Sequence, residues 1–215
     1  MTVEQRYRWL WKPLVFIAAF WPLAGLVAGA FGIGGASLGA DPVKLIEHRC
    51  GLAALQLLWI TLCITPLRQL TRNGDLQRLR RMLGLFAAFY ALLHVVAYAW
   101  LDQALDLPAI GADIVKRPYI TIGFAAVLML IPLAVTSTNG WMRRLKRRWQ
   151  SLHRLVYAIA VLGVWHFWWQ VKKDYREPLA YAILLALLFA WRCAWPRWRQ
   201  RVTSKFGSAT TPGRT

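Results

Sequence analysis

The stretch SLHRLVYAIAVLGVWHFWWQ, residues 151–170, decides how the whole chain is read. It is apolar over most of its length, yet it carries His153 near one end and His166 near the other. A run of this size is close to the about 20 residues a helix needs to cross about 30 Å of hydrocarbon. Backbone groups in lipid have no water to bond, so a helix, which satisfies them internally, is the economical form. Counting this run as roughly Leu152–Trp169, six such stretches stand out. The others are roughly Leu14–Phe31, Gly51–Pro66, Met82–Leu101, Tyr119–Val135 and Leu179–Trp195. They predict an all-α, polytopic bundle of six membrane helices, with kinks at Trp21-Pro22 and Ile131-Pro132.

Composition agrees. The 215 residues are 58% hydrophobic, with a mean hydropathy of +0.38, which is too apolar for an ordinary soluble domain. The chain is also strongly basic, with 27 Lys+Arg against 9 Asp+Glu. A nucleic-acid binder is excluded because the charges sit between apolar runs and form no separate basic domain. The 13 Trp suit interfacial belts. Cys50, Cys63 and Cys193 form no CxxC or CxxCH, which argues against a thiolate zinc site, an iron–sulfur cluster and covalent haem. They read as inert thiols in apolar surroundings. Arg6, Arg8 and Lys12 precede the first run as in a signal peptide, but the run is longer than the about 7–15 residues of a signal core. An uncleaved helix is expected.

The loops divide by charge. The N-terminus, the segments 67–81 and 136–154, and the tail from Arg192 hold 20 of the 27 basic residues and only Glu4 and Asp75 as acids. The other three loops balance seven basic residues with seven acids. The positive-inside rule puts the basic side, and with it both termini, in the cytoplasm. The domain reading is a cytoplasmic N-terminus over 1–13, one transmembrane domain over 14–195, and a basic cytoplasmic tail over 196–215, expected to be disordered. Neither a soluble domain nor an internal repeat is apparent. The glycine-rich GIGGASLGA (32–40) follows a membrane helix and lacks the Lys-Ser/Thr of a phosphate loop, so it reads as a flexible connection.

Histidine carries the chemistry. Of the four, His94, His153 and His166 fall inside predicted spans, where an ionisable side chain is a functional hypothesis by default. An interhelical hydrogen bond is the plain alternative for any one of them. Three in two helices point to metal ligands, since neutral imidazole suits an apolar site. The third and fifth helices run the same way. His94 lies about 12 Å and His166 about 6 Å below the outer edge at 1.5 Å per residue, so the two can share one metal. His153 lies near the inner edge, about 20 Å from His166 and about 140° away in azimuth on an ideal helix. Two other readings compete. One is a small transporter or channel whose histidines relay protons. The other is a scaffold without cofactor.

The spacing of His153 and His166, with a histidine on the third helix, resembles the ferric reductase and NADPH oxidase transmembrane domain. The resemblance is closer to its bacterial MsrQ (YedZ) branch, over about residues 38–173. It rests on LGADPVKLIEHRCG (38–51), TPL (65–67), RRMLGL (80–85), ALLHVVAY (91–98), RPYITIG (117–123), TSTNGWMRRL (136–145) and RWQSLHRLVY (148–157). It implies a b-type haem subunit of a bacterial inner membrane, with one haem or two and an associated flavin mononucleotide. Such a subunit takes electrons from the quinone pool or a cytosolic flavin reductase and feeds a periplasmic MsrP-type molybdenum enzyme that reduces methionine sulfoxide in proteins. The iron ligands implied are His94 and His166, with His153 at an inner site. Bis-histidine ligation leaves no open iron position, which suits electron transfer. The chain departs from the wider family in having no nicotinamide domain after the sixth helix. It also has Arg80 where a second histidine would precede His94 by 14 residues. Arg80, Arg81 and Arg148, on the basic edge, are candidate contacts for a flavin or a haem propionate, against a plain role in topology and anionic-lipid binding. His48 reads as a hydrogen-bonded histidine or as a contact to a propionate or a partner protein.

Overall fold

The computed structural model describes residues 3–71, 73–172 and 174–207, and the described residues include no strand. Helix α1 (Val3–Arg6) passes through a π-helical turn (Tyr7–Trp11) into α2 (Lys12–Phe31), which ends at Gly32 with φ at 66°, the left-handed cap conformation that glycine adopts most easily. A 3-10 turn (Ile33–Gly35) follows. The glycine-rich segment folds back on α2 so closely that a Cβ on Gly29 would lie 2.8 Å from the Leu38 side chain. The Asp41 carboxylate accepts from the Lys44 amide at 3.2 Å and so caps α3 (Pro42–Thr71). The Lys44 ammonium also bonds that carboxylate and holds its pKa below the usual range. Helix α4 (Leu76–Val96) continues as a π-helical stretch (Ala97–Asp102). Helix α5 (Leu107–Lys116) occupies the next loop, its first turn capped by Asp106, which accepts from the Ala109 amide at 3.0 Å. Then come α6 (Pro118–Val135), α7 (Asn139–Leu145), α8 (Arg147–His153), α9 (Leu155–Gln170) and α10 (Arg176–Gly207).

Among the described residues, five helical stretches are long and apolar enough to cross a membrane: Tyr7–Phe31, Pro42–Thr71, Leu76–Asp102, Pro118–Val135 and Arg176–Pro196. Helix α9 stands where the fifth of the six expected spans falls, and its 16 residues reach about 24 Å. The chain is a multi-pass membrane protein. One expectation needs correcting. Leu152–Trp169 is not a single helix, because Arg154 breaks it. Arg154 N bonds Ser151 O (3.2 Å) and Tyr157 N bonds Arg154 O (3.1 Å), i→i−3 bonds that tighten the turn. His153 therefore closes α8, two residues before α9 begins. In the tail, α10 passes Pro196 and continues to Gly207. Beyond Pro196 no glycine or proline precedes Gly207. The rest of the tail, 208–215, lies outside the described residues.

Packing centres on α3. Half of its apolar window is buried inside the protein, against 6% for the first span and 11% for α6. The first span and α6 therefore turn most of their apolar surface to lipid. Helix α3 packs along α4 and α6 along α9, and further contacts of α4 with α6 and of α3 with α9 close a four-helix core. The first span and α10 lie outside it. Tyr90, fully buried on α4, fastens α2 to this core. Its hydroxyl donates to Ala19 O (2.8 Å) and accepts from Leu23 N (3.2 Å), so it enters the α2 ladder beside Pro22, where the ladder is already one donor short. Loops 67–81 and 136–146 come together at what we term the basic end, where Arg81 bonds Asn139 Oδ1 at 2.6 Å. There Arg6 pairs with the buried Asp75 at 3.8 Å. Among the thiols, all free, Cys50 is buried, Cys63 half-buried and Cys193 exposed.

Candidate functional site

Two histidines from different helices face each other inside the four-helix core. The rings of His94 (α4) and His166 (α9) have centroids 6.1 Å apart and planes at 76°. Each gives its Nδ1 to a backbone carbonyl of a neighbouring helix, His94 to Glu47 O on α3 (2.9 Å) and His166 to Tyr119 O on α6 (2.7 Å). A carbonyl only accepts, so Nδ1 carries the proton and Nε2 keeps its lone pair in both rings. Metal-binding imidazoles are oriented in this way.

The same local device builds both contacts. Four residues beyond each accepting carbonyl stands a glycine, Gly51 after Glu47 and Gly123 after Tyr119. A Cβ on Gly51 would sit 3.2 Å from His94 Nδ1, and one on Gly123 would sit 2.6 Å from His166 Nδ1. The missing side chains are what let the imidazoles reach helix backbone. Glycine inside a helix lowers its stability by about 1 kcal/mol relative to alanine, and here the space goes to the histidines. Both glycines close segments that carry the family resemblance, and nothing within those segments gives them a role. Their mid-helix placement was the available signal.

Between α3, α4, α6 and α9 the rings border a cavity of about 420 Å³. Its depth is apolar, lined by Leu55, Leu58, Ala87, Ala126, Leu130 and Ile159. Its polar lining lies at the end away from the basic loops and includes Lys44, Glu47, His48, Asp102, Arg117 and Gln170. Glu47 Oε1 is buried there without a hydrogen-bond partner. The His48 ring lies 6.1 Å from that of Phe167 at this mouth.

The remaining sequence-predicted residues are elsewhere. His153 does not line the cavity. Its Nδ1 bonds Trp149 O at 3.0 Å, its Nε2 lies 3.5 Å from Ser137 Oγ, and its ring stacks on Trp149 at 3.9 Å. Arg80, Arg81 and Arg148 also lie outside it. Arg80 is half-buried and the other two are exposed. A further residue, counted with the tail in the sequence, is structural. The Arg192 guanidinium reaches between helices to bond the Tyr157 hydroxyl and Leu62 O (3.0 Å).

The arrangement fits a haem. His94 and His166, with ring centroids 6.1 Å apart and Nδ1 already bonded in each, would hold its iron through their Nε2 atoms. Among the described residues no group of three or more His, Cys, Asp or Glu is placed to hold a bare metal ion. An iron that brings its own macrocycle needs only the two axial nitrogens, and the apolar slot suits a flat ring.

Residues 50–164 match the family model of the ferric reductase like transmembrane component. Fold and match define a multi-pass membrane protein with a ferric reductase-like transmembrane domain. Its similarity extends to proteins named protein-methionine-sulfoxide reductase heme-binding subunit MsrQ. The one from Xanthomonas campestris pv. campestris (strain 8004) is 60% identical over 179 residues, 83% of this chain and 82% of the relative. That from Xanthomonas axonopodis pv. citri (strain 306) is 54% identical over 204 residues, 94% and 93% of the two chains. That from Herminiimonas arsenicoxydans is 44% identical over 207 residues, 95% and 93%. The chain belongs to the MsrQ family.

Proposed function

We propose that this protein is the haem b electron-transfer subunit of a methionine sulfoxide reductase system, with His94 and His166 as the axial ligands of one haem. The observation that carries the reading is the facing pair of imidazoles, each with Nδ1 tied to a carbonyl and Nε2 left to bind. The haem supplies reversible one-electron chemistry. The protein's own part is to fix the two rings, close both axial positions and keep water from the ring with the apolar walls of α3, α4, α6 and α9.

His153 is the proposed ligand at a second, inner site. Its Nδ1 is tied to Trp149 O, one turn back on its own helix, and its Nε2 contact with Ser137 is at the limit of hydrogen-bond reach. The basic end is proposed to face the cytoplasm and receive electrons from the quinone pool or a cytosolic flavin reductase, with Arg80, Arg81 and Arg148 available to a flavin phosphate. The opposite end is proposed to face the periplasm of an inner-membrane protein and to dock an MsrP-type molybdenum reductase.

The test is reoxidation. The haem is reduced in membranes by quinol, or by a flavin reductase with flavin mononucleotide, and the periplasmic enzyme is added with methionine sulfoxide. Reoxidation should require both. A reduced haem that reoxidises no faster with them would remove the methionine sulfoxide assignment. A purified protein without a haem spectrum would remove the redox reading altogether.

A further inference from the structure

The cavity beside His94 and His166 has two unlike ends, and this decides how an amphiphilic ring must sit in it. Haem has an apolar body and two carboxylates on one edge. Read along each helix, the polarity of the lining changes the same way. On α3 it passes from Lys44 and His48 to Leu55 and Leu58, and on α6 from Arg117 to Ala126 and Leu130. On α4 and α9, which run the other way, Ala87 and Ile159 come first, and Asp102 and Gln170 come last. A carboxylate pushed into the apolar depth would lose its hydration with nothing in return. The carboxylate edge therefore faces the end away from the basic loops.

At that mouth the lining includes two acids, Glu47 and Asp102, which repel an incoming carboxylate. It also includes two cations, Lys44 from the first turn of α3 and Arg117 just before α6. Both are held by local acids without being used up. Lys44 Nζ bonds Asp41 Oδ2, and Arg117 Nε lies 3.3 Å from Asp113 Oδ1. An ammonium has three protons and a guanidinium five N–H bonds, so each retains donors for a second anion. Asp113 is itself braced by the Tyr98 hydroxyl at 3.2 Å, which steadies the Arg117 side of the mouth.

Resting on the reading of His94 and His166 as haem ligands, we propose that Lys44 and Arg117 receive the two haem propionates at this mouth, one from each side. They anchor the ring edge-on toward the end opposite the basic loops. The conspicuous arginines at the basic end, Arg80, Arg81 and Arg148, then have no part in holding this haem. The exposed edge of the ring points to the face where an electron acceptor docks.

The experiment uses the purified haem-loaded protein and its Lys44→Gln, Arg117→Gln and double variants, with Lys44→Arg and Arg117→Lys as conservative rescues. Two quantities are read, the rate of haem transfer to excess apomyoglobin and the midpoint potential. Each single variant should release haem about 3- to 10-fold faster, as expected for losing one charge-assisted contact. Its midpoint should move to a more negative potential, because a cation beside the haem favours the reduced form. The rescues should restore both. Wild-type protein refilled with haem dimethyl ester should release it as fast as the double variant releases haem, and its release should be insensitive to the substitutions. The proposal is overturned if the double variant keeps wild-type release and potential, or if the ester is held as tightly as haem. It is also overturned if Arg143→Gln, at the basic end, produces an equal change, since that would mark an effect of overall charge. Absence of a low-spin spectrum in the wild-type protein would instead sink the haem reading itself.

Discussion

Gly123 and His166 are in such close approach that a Cβ on the glycine would lie 2.6 Å from the imidazole Nδ1, nearer than a carbon and a nitrogen can stand unbonded. The contact is what allows Tyr119 O to accept the hydrogen bond that His166 Nδ1 donates. Gly123→Ala should therefore displace the ring, lower haem occupancy and broaden or shift the low-spin signal. Gly51→Ala, where the corresponding distance to His94 is 3.2 Å, should do the same more weakly. Haem-to-protein ratios and electron paramagnetic resonance check the order of the two effects. An unaltered Gly123→Ala spectrum would contradict the packing argument.

His94→Ala and His166→Ala should each abolish the low-spin signal of the outer haem. On the proposed ligation either change removes one of the two nitrogens bound to one iron, so the variants should resemble each other. Low-temperature optical spectra of the purified variants give the answer, and a full wild-type spectrum from either one would dissolve the pair.

Replacing His153 should have a different signature. It lies on α8, outside the His94–His166 cavity. His153→Ala is expected to reduce total haem, or electron entry from the donor side, while the outer low-spin signal persists. Simultaneous loss of both would point to a single haem and a structural histidine.

Tyr90→Phe isolates a fold element from the site. The hydroxyl bridges Ala19 O and Leu23 N in α2. Its removal should lower stability by about 1–2 kcal/mol, seen as a lower unfolding temperature in detergent, with the haem spectrum retained. An unchanged unfolding temperature would mean that α2 recloses its own ladder around Pro22.

The orientation of the bundle is open to direct measurement. Reporter fusions after residue 75, after residue 108 and at the C-terminus should read cytoplasm, periplasm and cytoplasm. An external C-terminus would invert the proposed donor and acceptor faces.

Much of this was legible in the chain. The apolar runs marked the membrane helices, because each run's hydropathy is a local property that needs no partner. The depth argument paired His94 with His166, and the structure places their rings together. It missed the break at Arg154, because it assumed one uninterrupted helix through a stretch where i→i−3 bonds take over. It also left Gly51, Gly123 and Arg192 without roles, since each acquires its meaning from a residue far away in sequence.

The sequence by itself determined the all-helical membrane class, the basic and neutral sets of loops, and which side chains were available as ligands. All three follow from the composition of short segments against the hydrocarbon and its interfaces. Only the tertiary structure decided that Glu47 O and Tyr119 O orient the two imidazoles, that glycines clear the way for them, and that the cavity is apolar at one end and charged at the other. Those are properties of four helices packed at particular depths and rotations. A one-residue change in the register of any of them, about 100° of rotation, would keep the hydropathy pattern and lose the site.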